Sequence, residues 1–317
     1  MTEHFADRLF RSIEAKSTPL CVGFDPHLDL IPVTLIKKYT SRSSDLLSGC
    51  CLAVEEYLFK ILDAVYDLVG VIKPQFAFFE QLGPNGMVLL AKLCHEAKNR
   101  NLIVIGDAKR SDIGSTAKAY ANAYLSAHTI SNQCINPPIP VDALTVNPFL
   151  GWNSIEPFLS NAHETGVFIL LKTSNPTSSD IQDIETPMGT ISEIIARTIH
   201  DKGLSRLGRS GYSDIGAVVG ATFPNQAVKL RKLMPSTPFL IPGYGHQGGN
   251  ASDAVLTLDK KGLGGVVNSS RGILFAYRSD SYRADFHQEN FHHAARAACI
   301  DAITSLRDCT ISEQSQH

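Results

Sequence analysis

The stretch Leu102-Ile-Val-Ile-Gly-Asp107-Ala-Lys109-Arg-Ser-Asp112 changes character in its middle. Its first half is a nearly continuous aliphatic and β-branched run, the pattern of a strand covered on both faces. Its second half is charged. Seven further runs of the same kind occur along the chain: Leu20 to Phe24, Val69 to Lys73, Ala143 to Asn147, Val167 to Lys172, Ile215 to Ala221, Phe239 to Pro242 and Gly265 to Asn268. Amphipathic helices separate them. Val54, Leu58, Ile61, Val65 and Leu68 recur at helical spacing, and Phe291, Ala295, Ala298 and Ala302 do so near the end. Alternating strands and helices of this kind predict a parallel sheet.

Eight such units in even rhythm predict an α/β fold of one closed (β/α)8 TIM barrel, with the active site at the C-terminal ends of the strands. A barrel takes about 250 residues, so one domain spanning 1–317 uses most of the chain. Residues 1–17 read as a helix closing the barrel bottom, and 27–48, 126–140 and 277–290 as polar or Pro-rich insertions. A doubly wound open sheet competes, but an even run of parallel strands removes both edges by closing.

Composition narrows the function. Apolar residues make up 44% and charged residues 19%, which excludes disorder and fibrous folds. The net charge of −2 offers no broad basic surface for nucleic acid. No apolar run approaches the roughly 20 residues of a membrane helix, and the N-terminus reads as no secretory signal, so a cytoplasmic location is expected. Seven Cys, without a C-x-x-C, read as buried small apolar residues. The His pattern shows no H-x-x-x-H, and His292 and His293 are expected on different helix faces, so no metal site is expected.

The candidate chemistry lies where charge interrupts the strand ends. Asp107 and Lys109 are two apart and share a face, and Lys73 ends the preceding strand, so the three can meet. Opposite charges at short range hold each other ionised. A purely structural ion-pair network is the plainer reading. Pro242-Gly-Tyr-Gly-His-Gln247-Gly-Gly249 has the form G-x-G-x-x-G, yet it follows the seventh strand and no acidic residue ends the eighth. It therefore reads as an anion site, with backbone N–H groups and a helix N-terminus near a monophosphate and Arg271 beside it. Asp25 suits sugar hydroxyls or a simple turn. Lys172 suits a Schiff base or, with Thr173 and Ser174, a hydrogen-bonding wall.

Val22-Gly-Phe-Asp25, Ile72-Lys73-Pro-Gln, Asp107-Ala-Lys-Arg-Ser-Asp-Ile-Gly114, Lys172-Thr-Ser-Asn-Pro176, Val218-Val-Gly-Ala-Thr222, the glycine-rich run and Ser269-Ser-Arg271, in this order, resemble the orotidine 5'-phosphate decarboxylase family. The long-chain bacterial subgroup is the best match. The resemblance implies a homodimeric barrel, without metal or organic cofactor, that converts orotidine 5'-monophosphate to UMP and carbon dioxide in pyrimidine biosynthesis. It assigns Lys73, Asp107, Lys109 and Asp112 to the charged catalytic network, with Asp112 contributed across the interface. It assigns Asp25 and the partner's Thr116 to the ribose, Ser174 to the pyrimidine, and Gln247 and Arg271 to the phosphate. Two alternatives stay open at this point: a magnesium-dependent phosphosugar lyase of the same superfamily, and a noncatalytic phosphoribosyl-binding protein.

Overall fold

The computed structural model describes residues 3–160, 162–245 and 249–314. Eight parallel strands close into a barrel, each beside its neighbour in chain order. They are β1 (Leu20–Phe24), β2 (Val71–Pro74), β3 (Ile103–Arg110), β4 (Ala143–Val146), β5 (Gly166–Lys172), β6 (Ile215–Val219), β7 (Phe239–Ile241) and β8 (Gly265–Ser269). β8 closes on β1, with Leu20 opposite Val267. The expected barrel is thus the observed one, and strand limits move by at most three residues.

Alternation along the strands sorts side chains between two cores. Val71, Ile105, Phe168 and Val266 point into the barrel and pack together. Their sequence neighbours Ile72, Val104, Ile169 and Val267 face out, against the helices. Helix α1 (Phe5–Lys16) covers the N-terminal mouth, adding Phe5, Leu9, Phe10 and Ile13 to the inner core. The Phe5 ring meets Phe168 edge-on at 6.2 Å. A Cβ on Gly166 would lie 2.4 Å from that ring, so only glycine lets the two approach. His4 Nδ1 accepts the Ala6 N–H and caps the helix.

Within 27–48 the chain forms a 3₁₀ turn at Leu28–Leu30 and a helix at Val33–Thr40 before Asp45 caps the long helix Leu46–Val65. Residues 126–140 contain a hairpin pairing His128–Ile130 with Gln133–Ile135. After β5 the chain holds the short helix Ser179–Gln182 and a hairpin of Glu185–Thr186 with Gly189–Thr190. Not all seven cysteines are buried as expected: Cys21, Cys51, Cys94 and Cys299 are, Cys50 and Cys309 are half-buried, and Cys134 is exposed on the 128–135 hairpin. The His292 and His293 rings are also closer than expected, 4.2 Å apart. No helix among the described residues is long and apolar enough to cross a membrane.

The α1 plug should be part of the cooperative core. Leu9 is fully buried, so Leu9→Ala should cost about 2 to 5 kcal/mol in urea unfolding. A loss below about 1 kcal/mol would show that α1 is only loosely attached.

Candidate active site

The alternation that fills the barrel also builds its upper mouth. Two residues beyond inward-facing Val71 stands Lys73, two beyond Ile105 stands Asp107, and two beyond Gly23 stands Asp25. Asp107 is the hub. Its Oδ2 accepts from Lys73 Nζ at 2.8 Å and Gln75 Nε2 at 2.9 Å. Its Oδ1 accepts from Lys109 Nζ at 2.5 Å and the Thr145 hydroxyl at 3.0 Å. Asp25 Oδ1 lies 3.7 Å from Lys73 Nζ, yet it is buried and without a hydrogen-bond partner among the described residues.

Burial disfavours the charged form of Asp107, but Lys73 and Lys109 outweigh it and hold the carboxyl well below its usual range. Burial likewise opposes the Lys73 ammonium, and Asp107 and Asp25 overcome it and raise its pKa. Both groups are therefore ionised at neutral pH. Their accessibility differs: the Lys73 side chain is 5% exposed and that of Lys109 46%.

The residues proposed from sequence mostly converge. Asp25, Lys73, Asp107, Lys109, Ser174 and Arg271 line one pocket, together with Gln75, Thr173, Tyr244, Asn268 and Ser270. Gln247 lies outside the described residues. Asp112 and Thr116 are not among the lining residues. Asp112 accepts the Ile113 N–H at 2.8 Å, and Thr116 is exposed on the helix Gly114–Tyr124. The glycine-rich loop turns tightly, with positive φ at Gly243 and Gly245 and with Gly245 N–H donating to the Gly249 carbonyl at 2.8 Å. The helix that follows is only Ala251–Val255, and the Asn250 side chain accepts the Asp253 N–H at its N-terminus.

Lys172 belongs to the wall. Its side chain is fully buried, Nζ reaches both Asp183 oxygens at 2.9 and 2.8 Å and the Ser178 hydroxyl at 3.1 Å, and it stands over the Phe223 ring. The neighbouring Gln182 accepts the Thr173 N–H and donates to the Thr173 hydroxyl. The segment after β5 thus clamps the lip that carries Thr173 and Ser174. Gly220 permits it, since a Cβ there would lie 2.8 Å from Ser174 N. Sequence reasoning missed Asp183 and Gln182 because a four-residue helix and its C-cap give no periodic signal. It also missed Gln75, although its i+2 relation to Lys73 was available. A third cluster, His4, His163 and Asp214, joins distant segments. Asp214 is held through both oxygens by Arg206, His163 Nδ1 lies 2.9 Å from Asp214, and His4 Nδ1 is engaged as the α1 cap. These donors already serve the fold.

A parallel barrel with a charged pocket at the C-terminal strand ends is the architecture of a barrel enzyme. The chain belongs to the orotidine 5'-phosphate decarboxylase / HUMPS family, which residues 18–282 match. It is 43% identical to the orotidine 5'-phosphate decarboxylase of Rhodopirellula baltica, over 96% of this chain and 99% of that one. It is 39% identical to that of Caldicellulosiruptor bescii, over 91% and 94%. Among solved structures, Leishmania donovani OMP decarboxylase superposes with a TM-score of 0.70 at 27% identity, covering 98% of this chain and 99% of that one.

Asp183→Ala should strand the buried Lys172 ammonium and cost about 3 kcal/mol in urea unfolding at pH 7. Lys172→Met in the same chain should recover most of it. Lys172 outweighs burial to depress the Asp183 pKa. Its contribution is therefore present above the unfolded carboxylate value of about 4 and lost as pH falls through the folded one. The variant should accordingly lose less stability than wild type on acidification.

Proposed function

We propose that the chain is a carboxy-lyase that converts orotidine 5'-phosphate to UMP and carbon dioxide. The observation that carries this reading is the Lys73–Asp107–Lys109 array, formed around one pocket in a chain of this family. The relatives that share 37–43% identity each bear the decarboxylase name.

The array suits the chemistry. The bond from C6 to the carboxylate breaks, its electron pair stays on C6, and carbon dioxide leaves. That pair has no conjugated sink, so a positioned cation must stabilise it. Lys109 Nζ would supply that charge and then its proton to C6, recovering a proton from water. Asp107 would face the substrate carboxylate and raise the ground state by like-charge contact. Lys73, buried between Asp25 and Asp107, would hold both carboxylates in place. Asp25, whose buried Oδ1 lacks a hydrogen-bond donor among the described residues, would accept from a ribose hydroxyl. Ser174 would meet the pyrimidine, and Arg271, with Gln247, the phosphate. Two lysines provide the local positive charge, so the reaction as proposed calls for no metal or organic cofactor.

The reading includes a homodimer in which Asp112 of the partner subunit and Thr116 of the partner subunit complete each pocket. Exposed apolar side chains support it. Ile113 follows Asp112 and is 59% exposed, and Phe149, on the loop after the adjacent β4, is 79% exposed. We further propose that residues 1–317 form one barrel domain working in cytoplasmic pyrimidine synthesis.

The purified chain should release carbon dioxide from orotidine 5'-phosphate as orotidylate absorbance falls, and EDTA should leave the rate unchanged. Turnover of a phosphosugar instead, lost to EDTA and restored by magnesium, would identify a phosphosugar lyase. Tight binding of the phosphoribosyl ligand with no turnover would identify a binding protein.

The shared site has its own test. Lys109→Ala and Asp112→Ala homodimers should each be nearly inactive, because each change spoils both sites. In a mixed dimer one site collects both defects, while the other receives intact Lys109 and intact Asp112. Subunit exchange should therefore restore up to about half of such a dimer's sites. Confirmed exchange with no returning activity would place Asp112 within its own subunit's chemistry.

A further inference from the structure

Thr145 lies on β4, two residues beyond inward-facing Ala143, and is fully buried. Such a threonine ordinarily reads as a β-branched strand former. Here its hydroxyl makes three hydrogen bonds. It accepts the N–H of Ala108 at 3.0 Å and that of Lys109 at 2.9 Å, and it donates to Asp107 Oδ1 at 3.0 Å. A hydroxyl has one proton and two lone pairs, so these contacts saturate it and direct its proton to the carboxylate.

The ladder around it explains the need. β3 and β4 run in register from Ile105 opposite Ala143 to Gly106 opposite Leu144, and pairing resumes only at Arg110 opposite Val146. The residues between leave the ladder on the β4 side, while on the β2 side Asp107 still pairs with Gln75. The buried N–H groups of the bulge need acceptors. Lys109 also has φ +50°, a left-handed conformation that a side-chain-bearing residue holds only when its surroundings enforce it.

We propose that Thr145 is a positioning residue: its hydroxyl ties the Asp107 carboxylate to the strained Lys109 backbone and so aims the Lys109 amine into the pocket. It touches neither the pocket surface nor, on the proposed reading, the substrate, and it acts through Asp107 and Lys109. The kinetic arm of the test rests on the decarboxylase reading, and the structural arm does not.

Thr145→Ser and Thr145→Ala lose the same methyl group and differ only in the hydroxyl, so packing losses cancel between them. Thr145→Ser should keep kcat within about threefold of wild type. Thr145→Ala should lower kcat by roughly a hundredfold, the scale of a misplacement near 1 Å. KM should change little, because the phosphate and ribose contacts do not pass through Thr145. Thr145→Val, which keeps the shape and loses the hydroxyl, should match the alanine variant; if it fails to fold, the serine and alanine pair decides alone. In crystal structures, Lys109 should keep positive φ with serine and leave it with alanine. Equal kcat in the serine and alanine variants, or an unmoved Lys109 in the latter, overturns the proposal. A wild-type chain that does not decarboxylate would instead defeat the functional reading, and the two crystal structures would still judge Thr145.

Discussion

A carboxylate placed at the end of a buried strand must find compensating charge, because desolvating it alone costs more than a domain can absorb. Asp107 is that carboxylate, and the upper half of the barrel is arranged around its two oxygens. Lys73 arrives from β2, Thr145 from β4, and Lys109 from the same strand. Each donor depends on the register of its own strand. A slip of one residue in β2 would turn Lys73 outward among the helices and bring an aliphatic residue to the site. The apolar inner core and the α1 plug fix that register from below, so the stability of one end of the barrel underwrites the geometry of the other.

The two lysines are not equivalent. Lys73 is enclosed, its charge held between Asp25 at 3.7 Å and Asp107 at 2.8 Å. Lys109 sits on the bulge, half exposed and attached to Asp107 through a single oxygen. An enclosed cation serves as a permanent field, whereas an accessible one can exchange its proton with water. In the proposed reaction this division separates the residue that organises charge from the one that spends a proton each turnover.

Much of this was legible in the chain because it follows from period two. Asp25, Lys73 and Asp107 each stand two residues above an inward-facing position, and the eight apolar runs announce those positions directly. Arg271 and Ser174 were reachable because they end or follow such runs. The remaining features depend on relations that one-dimensional pattern does not carry. Thr145 has the residue type of an ordinary strand, and only the broken β3–β4 ladder shows why its hydroxyl matters. Gln182 ends the four-residue helix Ser179–Gln182 and Asp183 follows it, an element too short to show periodicity. Cys134 reads as buried from residue type alone, and only the 128–135 hairpin shows it exposed. The helix after the glycine-rich loop is a short turn whose Asn250 cap takes the Asp253 N–H, a local detail that hydrophobic pattern does not carry.

Charge bookkeeping across the pocket links these observations to the choice of ligand. Among the described residues that line the pocket, Asp25 and Asp107 balance Lys73 and Lys109, which leaves Arg271 as the surplus cation. A ligand with a single remote phosphate therefore meets net attraction at Arg271 and near neutrality at the array. A second anionic group on that ligand gains little from the array as a whole, and its energy depends on which member it faces. Set against Asp107 it is repelled, and losing it as neutral carbon dioxide relieves the contact. Attraction at the phosphate end can offset that repulsion, so binding energy collected far from the reacting carbon is expressed where the bond breaks. The arrangement works only if Asp107 cannot rotate away from the incoming charge. Four hydrogen bonds to its two oxygens hold it still.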